Sequence, residues 1–591
     1  MRYLIILVFI LIFLPGVNAC KDIIATNDAT AGDYTLFLKV RDPSRPGLQV
    51  VCMVDKGYEY DYYHPWSGKE MHFVTNHKYI GVATKGDIPP NVVKAGMTLN
   101  DAGIAYGDAD SPSYWINPTR YAWDDFDWIR YSCENASNEE EAIDYLIDVI
   151  EMHAPGVAEN LFVVGPERAY IIEADAYHYV IKEVNGVAVM SNYPKELWNK
   201  RFLKKIFISS SFDKTFEGDV RKGKVVHLGS LLGVRIINIG DDWILARQIP
   251  LGEKVTIKEG EGKRVGYFYV KLLNCYGRTA RVSVCYEYYA WENEIMKKIQ
   301  QKYGFITARD MMNWSRLHSS DLNNLRGMCE GEEKAAMVFK IPSRNANVMG
   351  MGWFAPDQCS SIFIPVHIAA KDIASQYKNG EAAELAKELL HTFGHGNITQ
   401  HFQKVENVLI KENERIENFV LSGNIQNAST IFTISDKEMQ NQAYIMQKMY
   451  LKADDKERDA IISVWKDDYL STLKNIKNII CFFDGEIKKN LASLASSISK
   501  GRVEIAKEIK NDGKALQEWE KGNAILSEEN YEKSIDYFIN AYKKADSSLF
   551  GKHIESSLLI KKRSDYAAIV FGAVIASILL FILIKRRNNT G

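Results

Sequence analysis

Cys20 carries the richest chemistry in this chain. It follows Val17-Asn18-Ala19, whose small first and last residues suit the −3 and −1 positions of a signal-peptide cleavage site. Upstream, Arg2 supplies a positive start, Leu4 to Leu14 is an unbroken apolar run of eleven residues, and Pro15-Gly16 breaks it. Eleven residues are too few to cross a bilayer core of about 30 Å. Residues 1–19 are therefore expected to be a signal peptide, and Cys20 the first residue of the mature chain. Such a cysteine holds a thiol and a free α-amine in one residue. That amine has a pKa of about 7.7–8.0, so it can take the thiol proton and later return it to a leaving amine. The chemistry is amide cleavage through a thioester, with no metal or cofactor implied. The rival readings are a structural cysteine and a lipid-acylated one. Asn18 makes a poor lipobox, which counts against the second.

The elements that must position Cys20 are short strands. Tyr34-Thr-Leu-Phe-Leu-Lys-Val, Leu161-Phe-Val-Val, Tyr170-Ile-Ile-Glu and Tyr177-His-Tyr-Val-Ile are β-branched and aromatic runs at hairpin spacing. A helix interrupts them where Asn138 can cap Glu139-Glu-Glu-Ala-Ile, with acidic residues in its first turn. Residues 20–375 therefore predict an α+β domain. Beyond 375 proline disappears and Lys/Glu-rich segments with apolar residues at helical spacing take over, as in 402–421 and 437–451. Residues 376–565 predict a helical stalk or bundle, through which the chain could oligomerise. One tetratricopeptide-like hairpin (518–541) is too little for a solenoid.

The first mature residues also resemble a known group. Cys20-Lys-Asp-Ile-Ile-Ala-Thr-Asn-Asp, followed by a return strand ending Lys39-Val-Arg-Asp42-Pro, is similar to the opening of the N-terminal-nucleophile (Ntn) cysteine hydrolases of the C69 dipeptidase and secernin group. Gly96-Met-Thr-Leu-Asn-Asp-Ala-Gly through Gly107-Asp108, Val164 to Glu173, Val189-Met-Ser-Asn192, Arg326-Gly-Met-Cys329 and Gly352 to Val366 resemble later segments in the same order. The resemblance spans roughly residues 20–370. It implies a four-layer αββα sandwich with Cys20 opening a central strand, and a dipeptide or other small N-acyl substrate. Lys39 and Asp42 carry over from the hairpin, Asp42 as the carboxylate beside the new N-terminus, although Asp-Pro also begins turns. Asn192 carries over as an oxyanion donor. Asp108 stands where the group usually has Asn. As a carboxylate it would repel an oxyanion, so it is expected to be protonated, to bind a substrate amine, or to mark a differently built oxyanion site. An acyltransferase of the penicillin acyltransferase-like relatives and an inactive surface-binding protein are the alternatives to a hydrolase.

The rest of the chain bounds these expectations. Its 591 residues suit several domains, and Lys+Arg 73 against Asp+Glu 75 gives a net charge of −2, so nothing suggests nucleic acid. Tyr566 to Ile584 is nineteen uncharged residues, long enough for a membrane span. The expected topology is a single-pass cell-membrane protein with residues 20–565 outside and 585–591 as a cytoplasmic tail. Asn135, Asn313, Asn397 and Asn427 are glycosylation sequons in the exported part. Without Cys20, seven cysteines remain, an odd set. Proximity alone suggests testing Cys275 with Cys285 and Cys329 with Cys359. The His391, His395 and His401 group lacks an acidic partner in a known pattern and is not taken as a metal site.

Overall fold

The computed structural model describes residues 20–41, 47–111, 113, 115–197, 213–229, 232–329 and 335–551. Asp42, the leader 1–19 and the apolar stretch 566–584 lie outside the described residues.

The chain opens with a hairpin. β1 (Lys21–Ala25) leaves Cys20 and β2 (Tyr34–Arg41) returns antiparallel, with Asp22 opposite Lys39. There follow β3 (Gln49–Val54), the small hairpin β4 (Glu59–Tyr63) and β5 (Glu70–Val74), β6 (Tyr79–Thr84), β7 (Ala95–Asn100) and β8 (Ala105–Asp110). Helices α1 (Asp125–Asn135) and α2 (Glu139–Glu151) come next, then β9 (Glu159–Val164), β10 (Ala169–Ala174), β11 (Tyr179–Glu183) and β12 (Val187–Ser191). Asn138 caps α2 by accepting the Glu141 amide at 2.9 Å, as its position predicts.

Eight further strands, β13 to β20, lie between Thr215–Arg221 and Thr279–Tyr286 and form two four-stranded sheets around their own core of Val234, Ile244, Val270 and Val282. Then come α3 (Glu287–Gln300), α4 (Ala308–Ser315), β21 (Ala335–Pro342), the short α5 (Ala346–Met349), β22 (Met351–Ala355) and β23 (Ile364–His367).

Two large antiparallel sheets carry the site. One has the order β12-β1-β2-β21-β22-β23 and the other β11-β10-β9-β8-β7-β6-β3. They face each other across rings that span both: Phe37 of β2 lies 5.5 Å from Phe162 of β9 and 6.0 Å from Phe339 of β21. Gly107 of β8 makes the approach possible, because a Cβ there would sit 2.7 Å from the Phe37 ring and 3.6 Å from the Lys39 stem. Outside the second sheet, α1 and α2 bury Trp128, Ile129, Leu146 and Ile150. Outside the first, α3 and α4 bury Trp291, Ile295, Met311 and Met312. Strands covered on both faces have no need of alternation. β1, β9 and β10 are accordingly buried at every position, whereas β16 (Trp243–Ile249) of the inserted pair alternates between deeply and half-buried residues.

The C-terminal helices are α6 (Ser375–Lys378), α7 (Glu381–Phe393), α8 (Thr399–Leu421), α9 (Ala428–Lys452), α10 (Asp455–Ser463), α11 (Tyr469–Ile479), α12 (Gly485–Lys510), α13 (Gly513–Ser527) and α14 (Tyr531–Phe550). Their apolar faces are continuous with the sheets: Phe402, Leu409, Met446 and Met449 share one core with Met337, Phe354 and Ile364. Ion pairs cross the same boundary, the buried Arg316 to Glu406 at 2.6 Å and the partly buried Lys340 to Glu417 at 2.7 Å.

The expected fold class needs correction. The protein is mixed α+β with a helical C-terminal region, and among the described residues no helix is long and apolar enough to cross a membrane. The reason is compositional: helices such as α8 and α12 interleave Glu, Lys and Arg with their apolar positions, which suits one buried face against protein. The inserted β13–β20 pair is also absent from the expectation, because its strand signals read as part of a single domain.

Candidate active site

The hairpin register builds the site. In the β1/β2 pair Asp22 and Lys39 stand opposite, so their side chains share a face with that of Cys20, two residues before Asp22. The Lys39 ammonium is wholly buried, 3.7 Å from the Asp22 carboxylate and 3.6 Å from that of Asp108 on the facing sheet. It also donates to the Asp108 backbone carbonyl, and its charge acts on the Cys20 sulfur. Burial works against its charge, but Asp108, Asp22 and the sulfur outweigh that and hold its pKa well above the ordinary lysine value. The expected residues Cys20, Lys39 and Asp108 therefore come together. Asp108 faces Lys39, which gives it a role as the anchor of a cation.

Cys20 is buried, and that burial pushes its thiol up to about 12, with Lys39 pulling down and Asp108, Asp22 and Asp110 pushing further up. Across the other edge, β1 pairs with β12, Lys21 opposite Ser191, so Asn192 stands level with Cys20. Ser191 Oγ donates to the Cys20 carbonyl at 3.0 Å, and Asn160 Nδ2 donates to the Ser191 carbonyl at 2.7 Å. Both Asn160 and Asn192 keep a buried side-chain oxygen without a hydrogen-bond partner. Asp42 lies outside the described residues, one position beyond the end of β2.

A group of carboxyls lies beside this centre. Asp110, Asp125 and Glu159 have oxygens all within 4.8 Å of one another, a spacing that could hold a cation. Asp110 and Glu159 are direct cross-strand neighbours on β8 and β9, an unfavourable like-charge pairing. Asp125 is the first residue of α1, fixed by the capping box of Asp124 and Asp127. Burial first, then Asp108, Asp124 and Asp110, keep the Asp125 carboxyl well above the usual range. Burial and then Asp110 do the same to Glu159. Glu159 is fully buried and neither of its oxygens has a hydrogen-bond partner. Arg41, opposite Cys20 by register, balances part of this charge; it donates to Gln49 at 2.7 Å and lies over the Phe126 ring at 4.8 Å.

Asp22, Asp110, Asp125 and Glu159 are functional candidates that sequence reasoning missed. Period-two spacing places Asp22 on the face of Cys20 and Asp110 on the face of Asp108. Only the strand pairing brings Glu159 and Asp125 to them.

Four residues outside this centre also form a group able to hold a metal: His318, Cys329, Cys359 and His395. Cys329 and Cys359 are both free. The expected pairing of Cys275 with Cys285 is corrected by register. Cys275 stands opposite Ala280 and Cys285 opposite Tyr269, which separates them by five ladder positions, about 17 Å.

Solved structures similar to this chain include an acylase and a hydrolase. One is penicillin V acylase from Agrobacterium tumefaciens, 14% identical, covering 31% of this chain and 55% of that one, with a TM-score of 0.24. The other is a mutant of conjugated bile acid hydrolase from Clostridium perfringens, 13% identical, covering 59% and 92%, with a TM-score of 0.32. The chain thus spans about half the length of the acylase it matches. At these scores neither likeness carries an argument about activity. No family model matches the chain, and no curated protein matches it.

Proposed function

We propose that the chain is an amide hydrolase of the Ntn kind, with the Cys20 sulfur as nucleophile once the chain is cleaved after Ala19. The observation that carries this reading is the buried Lys39 ammonium held between Asp22 and Asp108, on the face of β2 that carries its charge toward the Cys20 thiol just before β1. A thiol pushed up to about 12 is inert unless a base touches it and a cation offsets the new charge. The freed α-amine is that base and Lys39 that cation.

In acylation the α-amine takes the thiol proton and the sulfur bonds to the substrate carbonyl carbon. The carbon–nitrogen bond then breaks as the leaving nitrogen receives the proton back from the α-ammonium. In deacylation water adds to the thioester with the α-amine as base, the carbon–sulfur bond breaks, and the acid departs. Asn192, level with Cys20, is the donor proposed for the oxyanion.

The carboxyls indicate the substrate class. Asp110, Asp125 and Glu159 are crowded carboxyls, and burial and mutual repulsion hold back the ionisation of Asp125 and Glu159; an arriving ammonium would favour their charged forms, which an anionic substrate would not. A dipeptide with a free amino terminus fits, and the dipeptidase reading rests on this and on the residue resemblance. Turnover of dipeptides with free and with N-acetylated amino termini tests it. Free termini should be preferred by about tenfold or more, with the preference reduced in Glu159→Gln. Equal turnover of both series would remove the ammonium from the reading.

A further inference from the structure

We infer that His318, Cys329, Cys359 and His395 hold a zinc ion that fastens the helical region to the sheets. Their four donor atoms lie within 4.8 Å of one another, with Cys359 Sγ 2.8 Å from Cys329 Sγ and 3.2 Å from His318 Nε2, and Cys329 Sγ 3.9 Å from His395 Nδ1. Tetrahedral zinc, with bonds of about 2.3 Å to sulfur and 2.0–2.1 Å to nitrogen, needs donors roughly 3.3–3.8 Å apart. The observed contacts bracket that range. Two sulfurs with two imidazoles form the closed set of a structural site, with no position left for water or substrate. A disulfide would use only the sulfurs and give no reason for two imidazoles to converge on them.

The backbone is shaped for these ligands. The Met328 and Cys329 amides both donate to the Leu317 carbonyl, at 2.6 and 3.1 Å, which folds the loop back onto His318. Asp357 accepts the amides of Cys359 at 2.9 Å and Ser360 at 2.8 Å, fixing the turn that presents Cys359. Gly396 has φ of +78°, and a Cβ there would lie 3.1 Å from the His318 ring. Asp321 lies 3.8 Å from His318 Nδ1, the side of the ring away from the sulfurs, in the place of an outer carboxylate that orients a ligating imidazole.

The four ligands come from separate parts of the chain. His318 and Cys329 bound one loop after α4, Cys359 lies between β22 and β23, and His395 lies between α7 and α8. The loop also accepts Tyr269 Oη at Asn323 O, 2.8 Å away, and donates from Asn324 Nδ2 to Gly262 O at 3.2 Å, both on the inserted sheets. One ion would thus tie the sheets, the helical region and the loop that leans on the insert.

The test uses the full-length chain, purified under reducing conditions and incubated with Zn²⁺ or with Co²⁺ alone. One metal per chain is expected by elemental analysis. Thiolate-to-cobalt charge-transfer absorption and an X-ray absorption shell of two sulfur and two nitrogen neighbours should accompany it. Cys359→Ser and His395→Ala should weaken metal affinity by more than about 100-fold, while Cys481→Ser leaves it unchanged. Should those variants not fold, the spectra of the wild-type chain still decide. Absence of metal binding, with a Cys329–Cys359 disulfide in the intact mass, would overturn the inference. So would undiminished binding in folded Cys359→Ser and His395→Ala, or a ligand shell without sulfur.

Discussion

Cys20 and Cys359 are both buried cysteines beside nitrogen groups, yet their surroundings fit them for opposite tasks. Around Cys359 the neighbours are soft or borderline donors: a second sulfur and two imidazoles, on loops whose backbones are pinned. Around Cys20 they are a hard ammonium and hard carboxylates on rigid strands, with no second sulfur in the group. The first arrangement saturates a metal. The second leaves one sulfur to react and supplies charge to steady it. What a cysteine does is set by which side chains the fold brings within about 4 Å, and the residue type alone says little.

Substitutions at the two cysteines and their neighbours separate these roles. The largest effect is expected from Cys20→Ala, which should lower turnover of a dipeptide by about 10⁴-fold or more in steady-state assays. Cys359→Ser should instead lower the melting temperature, read by calorimetry, and leave kcat within a small factor. Next is Lys39→Met. It leaves the buried Asp22 and Asp108 without their shared cation, so chemical denaturation should show a loss of about 3–5 kcal/mol, and turnover should fall by about 10²-fold.

A third test addresses the junction. His367 of β23 is wholly buried, 2.9 Å from Asp436 of α9 and 3.6 Å from Glu417 of α8. Burial opposes its charge, but Asp436 and Glu417 outweigh that and raise it to about 9. A raised imidazole contributes stability that is complete below its unfolded value near 6.5 and is lost as pH rises through about 9. The contribution is about 3 kcal/mol. Denaturation of the wild type between pH 6 and 10 should show this loss, and His367→Gln should flatten it. The smallest effect is expected from Gly107→Ala, where the added methyl meets Phe37 at 2.7 Å. Its cost should be about 1–3 kcal/mol, with a rise in KM if the Lys39 stem moves with the ring.

The sequence shows the proposed nucleophile more clearly than its surroundings. Cys20 is legible because a cleavage-site pattern and a hairpin signal flank it. Lys39 comes with the resemblance, and its pairing to Asp22 needs only the period of a strand and the hairpin register. The carboxyls are not legible: Asp110 and Glu159 are 49 positions apart in the chain and become neighbours only when β8 and β9 pair. The helical region reads as a stalk because its Lys and Glu content suits a solvated surface. Phe402, Leu409 and Met446 give no sign that their partners are strands rather than other helices. The histidine and cysteine group escapes for a similar reason. Its ligands span residues 318 to 395, so no local spacing announces them, and the proximity of Cys329 to Cys359 suggests a disulfide.

The central claim is that Cys20 is the mature amino terminus and takes the acyl group. Intact-mass spectrometry of the chain purified from its native host, before and after quenching with a slowly hydrolysed amide substrate, tests this. The account predicts a chain beginning at Cys20 that gains the mass of the substrate acyl group on its first residue, with no gain in Cys20→Ala. A chain beginning upstream of Cys20, a Cys20 already carrying lipid, or an acyl group on another residue would contradict it.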